Sequence, residues 1–157
     1  MTSDTVRPSR TNPGSSRDRP FSRQRALVVY IEGRRGEAAL REGAELAATG
    51  ADLEVVTLAP QAKSLKCCKG NGSGPYNCTM RAVAADELQQ ARVLLGSLAT
   101  RATFTTLSGT PEPPVGEWAA ARAFDVAIVP GEKLARGGGH LARQLRRVTR
   151  AHVRVVK

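Results

Sequence analysis

Three parts of this sequence carry residue types able to do chemistry. The first is a segment that holds all three cysteines, Lys66-Cys67-Cys68-Lys69-Gly70-Asn71-Gly72-Ser73-Gly74-Pro75-Tyr76-Asn77-Cys78. Lys66 and Lys69 favour the thiolate form of the cysteines beside them, the form that oxidises and binds metals. Structural zinc usually takes cysteines paired at short separations, and this spacing matches no such template. The segment therefore reads three ways: an inert turn-rich loop, a redox or disulfide switch, or a metal site formed by Cys67, Cys68 and Cys78.

The second part is the stretch from Pro130 and Gly131 to the run Gly137-Gly138-Gly139-His140, with Lys133 and Arg136 between them. Glycines let backbone N–H groups approach phosphate oxygens, and a helix that follows adds its positive N-terminal end. The third part is Ile31-Glu32-Gly33, where a carboxylate, a hydrogen-bond acceptor, ends an apolar run. A fourth feature is a basic stripe, Arg143, Arg146, Arg147 and Arg150, at helical spacing. It carries no interleaved aromatics and no base-reading motif, so any hold on nucleic acid is backbone-driven, salt-sensitive and unspecific.

Catalysis has no such footing. The sequence contains no Walker phosphate loop, no nucleophile elbow, and only two histidines, neither flanked by carboxylates. The chain reads as non-enzymatic, with no catalytic residue to name.

The elements that must position these residues follow from composition and periodicity. A chain of 157 residues holds one domain, and with aromatics at 4% its core is aliphatic. The net charge of +10 is uneven: residues 1–25 hold six arginines against two aspartates, and residues 133–157 hold eight lysines or arginines and no acid. Residues 1–25 read as a disordered basic tail in preference to an organelle transit peptide. No apolar run approaches the roughly 20 residues needed to span a bilayer, and a cytoplasmic protein with no membrane partner is expected.

From residue 26 a strand-helix cycle repeats. ALVVYI at 26–31 reads as a strand buried on both faces, and 36–48 places Ala39, Leu40, Ala44 and Ala47 on one helical face before Gly50. LEVVTL at 53–58 is the second strand. After the loop at 60–79 comes a long helix with Met80, Val83, Ala84, Leu88, Ala91, Leu94, Leu95 and Leu98 on its apolar face. ATFTTL at 102–107 is the third strand, followed by a short helix after Pro113-Pro114 with Val115, Trp118 and Ala119 inward. VAIV at 126–129, a helix carrying Leu141, Leu145 and Val148 inward, and HVRVV at 152–156 complete the series.

Five strands alternating with four helices predict an α/β fold: an open five-stranded parallel sheet with helices on both faces. ATFTTL and HVRVV alternate with polar residues and so belong at the edges, which gives the order 3-2-1-4-5. Winding then reverses between strands 1 and 4, and open sheets bind ligands in the crevice outside the carboxyl ends of the strands at such a point. The exposed edge at 152–156 is also a surface on which a symmetric partner can add.

Several of these stretches resemble the universal stress protein family. Tyr30-Ile31-Glu32-Gly33-Arg34 is similar to its strand ending in Val-Asp-Gly-Ser, and Glu37-Ala38-Ala39-Leu40 to its first helix. Ser108-Gly109-Thr110-Pro111 is similar to its Gly-Asp-Pro turn, Asp125-Val126-Ala127-Ile128-Val129 to its Ala-Asp-Leu-Ile-Val strand, and Val153-Arg154-Val155-Val156 to its closing strand. The resemblance covers residues 26–157 apart from the loop at 60–79. It implies a Rossmann-like, non-enzymatic stress-response module, a homodimer through 152–156, and ATP or another adenine nucleotide as possible ligand. The implied nucleotide-binding set is Ile31, Glu32, Gly33, Leu58, Gly109, Pro130, Gly131, Gly137, Gly138, Gly139 and His140. Three positions depart from the family's nucleotide-binding pattern: Glu32 replaces an aspartate, Leu134 stands in place of the second glycine, and Gly139-His140 stands in place of Gly-Ser. A changed or lost ligand is therefore weighed above ordinary ATP binding. The alternative function is a basic protein attaching to nucleic acid or a ribonucleoprotein through the tail and the last helix.

Overall fold

The computed structural model describes residues 23–63, 73–132 and 139–157. In chain order the elements are β1 (Arg25–Val29), α1 (Arg34–Ala48), β2 (Asp52–Pro60), α2 (Gly74–Leu95), a short 3-10 helix (Gly96–Arg101), β3 (Ala102–Gly109), α3 (Val115–Ala120), β4 (Val126–Pro130), α4 (His140–Val148) and β5 (His152–Val156). The sheet has the order β3-β2-β1-β4-β5 and every neighbouring pair is parallel. Both edges are the strands whose polar alternation predicts them there.

Alternation along the central strands divides the core in two. Ala26, Val28 and Tyr30 project to one face with Val55 and Ile128, where Ala39, Leu40 and Ala47 of α1 and Ala91 and Leu95 of α2 cover them. Leu27 and Val29 project to the other with Val56, Ala127 and Val129, covered by Val115 and Ala119 of α3 and Ala142 and Leu145 of α4. Two helices per face is what right-handed crossovers give when winding proceeds outward from β1 in one direction and then from β4 in the other.

Thr57 on β2 is the one polar side chain in the buried core of the described residues. Its hydroxyl donates to the Ala84 carbonyl of α2 at 2.8 Å and lies 3.1 Å from the Thr106 hydroxyl of β3, so the group is satisfied where burial would otherwise make it costly. At the amino end of the sheet Asp125 joins three strands. Its carboxylate accepts from Arg25 N at 2.7 Å, its N–H donates to the Arg25 carbonyl, and its carbonyl accepts from His152 N.

Four expectations need correction. Arg25, assigned to the tail, is the first residue of β1 and pairs with Asp52. Residues 74–79, assigned to the cysteine-bearing loop, form the start of α2, where Pro75 supplies a fixed φ suited to a first turn. Val83 and Leu94 are 42% and 51% exposed, because α2 meets the sheet along the narrower line of Ala84, Ala91 and Leu95. In α4 the buried line runs through Ala142 and Leu145, leaving Leu141 half-buried and Val148 exposed; the helix stops at Val148, so Arg150 lies beyond it.

The α4 correction has a direct test. Leu145→Ala should destabilise the protein by about 2–5 kcal/mol, whereas Val148→Ala should cost less than about 1 kcal/mol. Chemical denaturation of the two variants measures both, and equal losses would contradict the assignment.

Candidate functional site

The reversal of winding leaves β1 and β4 side by side with their connections leaving in opposite directions. From β1 the chain passes through buried Tyr30, exposed Ile31 and Glu32, and Gly33 into α1. The turn is tight enough that a side chain at Gly36 would collide with the Ile31 carbonyl, which is why the first turn of α1 sits so close to the strand exit. From β4 the chain passes through Pro130 and Gly131, whose N–H donates to the Val156 carbonyl at 2.7 Å. The two exits are tied together: Arg35, in the first turn of α1, donates from Nη1 to the Gly131 carbonyl at 2.7 Å.

On the β1 side the crevice is acidic. The backbone N–H of Glu32 donates to Glu87 Oε1 of α2 at 3.0 Å. Glu32, Val83, Asp86, Glu87 and Gln90 line a cleft of about 370 Å³, and Tyr30 beneath them donates its hydroxyl to Gln90 Oε1 at 3.0 Å. Burial first, then the carboxylates of Glu37, Glu87 and Glu32, push the Tyr30 phenol up and keep it a hydrogen-bond donor. Such a lining offers acceptors to hydroxyl, amine and amide groups.

On the α4 side Gly139 has a left-handed φ of 44°, and the first helical N–H, that of His140, donates to Glu132 Oε1 at 2.9 Å. His140 Nε2 lies 2.9 Å from Glu112 Oε2 of the β3–α3 connection and 2.8 Å from Gln144 Nε2.

The sequence-selected residues divide accordingly. Ile31, Glu32 and Gly33 leave β1, Pro130 and Gly131 end β4, and Gly139 and His140 open α4, all at the carboxyl edge of the sheet. Leu58 is one strand out on β2, half-buried against the α3 and α4 face. Gly109 is two strands out, paired with Pro60, and its carbonyl accepts from Gln61 N. Gly137, Gly138, Cys67 and Cys68 lie outside the described residues, while Cys78 is exposed near the start of α2. Among the described residues no three His, Cys, Asp or Glu side chains come together as a metal-binding group. Arg143 and Arg147 are exposed on α4.

Arg35, Glu87, Gln90 and Glu132 are the contributors that sequence reasoning missed. Glu87 and Gln90 stand three residues apart on a helix of known apolar face, which is a readable signal for a shared surface. Arg35 and Glu132 flank the two glycines at the strand exits and carried no signal of their own.

Burial raises Glu87 above the usual carboxylate range; the hydrogen bond from Glu32 N–H opposes this and the Glu32 carboxylate adds to it. A raised carboxyl contributes stability that is complete below its unfolded pKa and is lost as pH climbs through the folded value. Glu87→Gln keeps a carbonyl oxygen for Glu32 N–H and removes the charge. It should raise Tm by a few degrees at most at neutral pH, with the gain vanishing as pH falls below the carboxylate range. Thermal melts across pH check this, and a gain independent of pH would contradict it.

No protein-family model matches this sequence, and no curated protein matches it. Solved structures do. A universal stress protein from Archaeoglobus fulgidus superposes with a TM-score of 0.63 at 20% identity, covering 85% of this chain and 93% of that one. UspA from Lactobacillus plantarum gives 0.62 at 12% identity, covering 87% and 99%. The universal stress protein from Archaeoglobus fulgidus in complex with dAMP gives 0.60 at 19% identity, covering 87% and 98%. At these identities the likeness is one of fold, and it agrees with the strand order and the crossover faces: the chain has the universal stress protein fold.

Proposed function

We propose that this chain is a non-enzymatic regulatory module of the universal stress protein type that holds a small adenine-containing ligand between the exits of β1 and β4. The observation that carries the reading is the joined pair of strand exits at the topological reversal, with Arg35 bonded to the Gly131 carbonyl and the acidic cleft of Glu32 and Glu87 alongside. Open parallel sheets take ligands at this place. A protein of the same fold was solved in complex with dAMP, which supports adenine as the ligand's base. Carboxylates at Glu32 and Asp86 suit ribose hydroxyls and the exocyclic amine, and exposed Ile31 offers an apolar surface for the ring. The sequence carries none of the nucleophile or phosphate-transfer motifs, so the reading is one of binding and signalling.

Titration of 15N-labelled protein with adenosine and AMP should shift the amides of residues 30–33, 87–90, 131–132 and 139–140. Shifts confined to other surfaces, or none with adenosine, AMP, ADP or ATP, would contradict the reading.

A homodimer forms, in the same proposal, through the edge of β5, where His152–Val156 has β4 on one side and an unpaired strand edge on the other. Light scattering should report twice the chain mass of 16.7 kDa, and Val155→Pro, which removes an N–H on the open side of β5, should shift the protein to monomer; a monomer in the unaltered protein would contradict it.

A further inference from the structure

We propose that Glu132 is the specificity-determining residue of this crevice: its carboxylate is a tethered anion that occupies the N-terminus of α4, so the crevice accepts a nucleoside and refuses a nucleotide's phosphate. The inference rests on the ligand reading given above and names the class of ligand that the site takes.

Helix N-termini attract anions because their first N–H groups are unpaired and the helix dipole places positive charge there. In this crevice the first of those N–H groups is already met. Glu132 Oε1 accepts from His140 N at 2.9 Å, with a charge-assisted geometry. The same side chain lies across Gly139: a Cβ on that glycine would collide with the Glu132 carboxylate and its Cγ. The space that glycine leaves free, and that a phosphate would need to approach the backbone, is therefore filled by the chain itself.

Among the described residues, two side-chain donors beside it are engaged as well. His140 Nε2 faces the Glu112 carboxylate at 2.9 Å, and Arg35 spends Nη1 on the Gly131 carbonyl. An incoming phosphate meets the carboxylates of Glu132 and Glu112 on the α4 side and those of Glu32 and Glu87 on the β1 side. It must also displace a carboxylate of the same chain, eight residues away in sequence, which competes as an intramolecular partner. A ribose or base meets no such competition, since carboxylates accept hydrogen bonds from its hydroxyls and amine. Glu132 is exposed, so its replacement leaves the core untouched.

The test uses the full chain, its Glu132→Ala and Glu132→Gln variants, and three probes: adenosine, AMP and inorganic pyrophosphate. The His140 amide of 15N-labelled protein should ignore millimolar pyrophosphate in the unaltered chain and move on titration in Glu132→Ala, with Glu132→Gln between them. By calorimetry, the affinity for AMP relative to adenosine should rise at least about tenfold in Glu132→Ala. Glu132's role is overturned by a His140 amide that responds equally in all three proteins, or in none. It is overturned equally by an unaltered chain that binds AMP more tightly than adenosine. Should the pyrophosphate difference appear while adenosine binds to no protein, Glu132's role as the competing anion is upheld and the adenine reading fails by itself.

Discussion

The structure depends on one constraint: five parallel strands must be covered on both faces by crossovers of a single hand. With α1 and α2 on one face and α3 and α4 on the other, the connections diverge at the boundary between β1 and β4. Backbone that elsewhere turns back over its neighbour here leaves an opening at the carboxyl edge. Arg35 ties the two exits across that opening by donating to the Gly131 carbonyl from the first turn of α1. The tight packing of Gly36 against the Ile31 carbonyl keeps α1 where Arg35 can reach.

Electrostatics then decide what the opening takes. Both sides of the crevice present carboxylates as acceptors for backbone N–H groups, Glu87 for Glu32 on one side and Glu132 for His140 on the other. Among the described residues, the backbone N–H groups of Glu32 and His140 at the two exits are met from within the chain. On the proposed reading, the geometry of an α/β ligand crevice is retained while its preference for anions is weakened, which places selectivity in a few side chains and leaves the fold unchanged.

Much of the architecture was legible in the sequence because both of its periods are strong. Apolar runs at 26–31 and 126–129 mark strands buried on both faces, though the first strand ends at Val29 and Ile31 is exposed, and the polar alternation of 102–107 and 152–156 marks the edges; strand order and the place of the crevice follow from those two facts. Helix faces were less legible. Leu94 and Val148 are apolar at helical spacing and yet exposed, since α2 and α4 bury small residues, Ala84, Ala91 and Ala142, in narrow lines against the sheet. The crevice residues divide in the same way. Glu32, Gly131 and Gly139 stand at strand and helix ends, where chain order predicts them. Arg35 and Glu132 act through hydrogen bonds spanning 96 and 8 residues, and a long-range partner leaves no local mark. The departures at Glu32 and Gly139-His140 raise the expectation of an altered ligand, whereas the carboxylate at the α4 terminus is visible only in three dimensions.

The central claim is that the crevice between β1 and β4 holds a nucleoside while Glu132 keeps the α4 N-terminus. A crystal structure of the full chain soaked with adenosine tests it most directly. The account predicts the nucleoside between the β1 and β4 exits with Glu132 still bonded to His140 N. Adenosine bound elsewhere, or Glu132 swung away with the ligand on the His140 N–H, would contradict it.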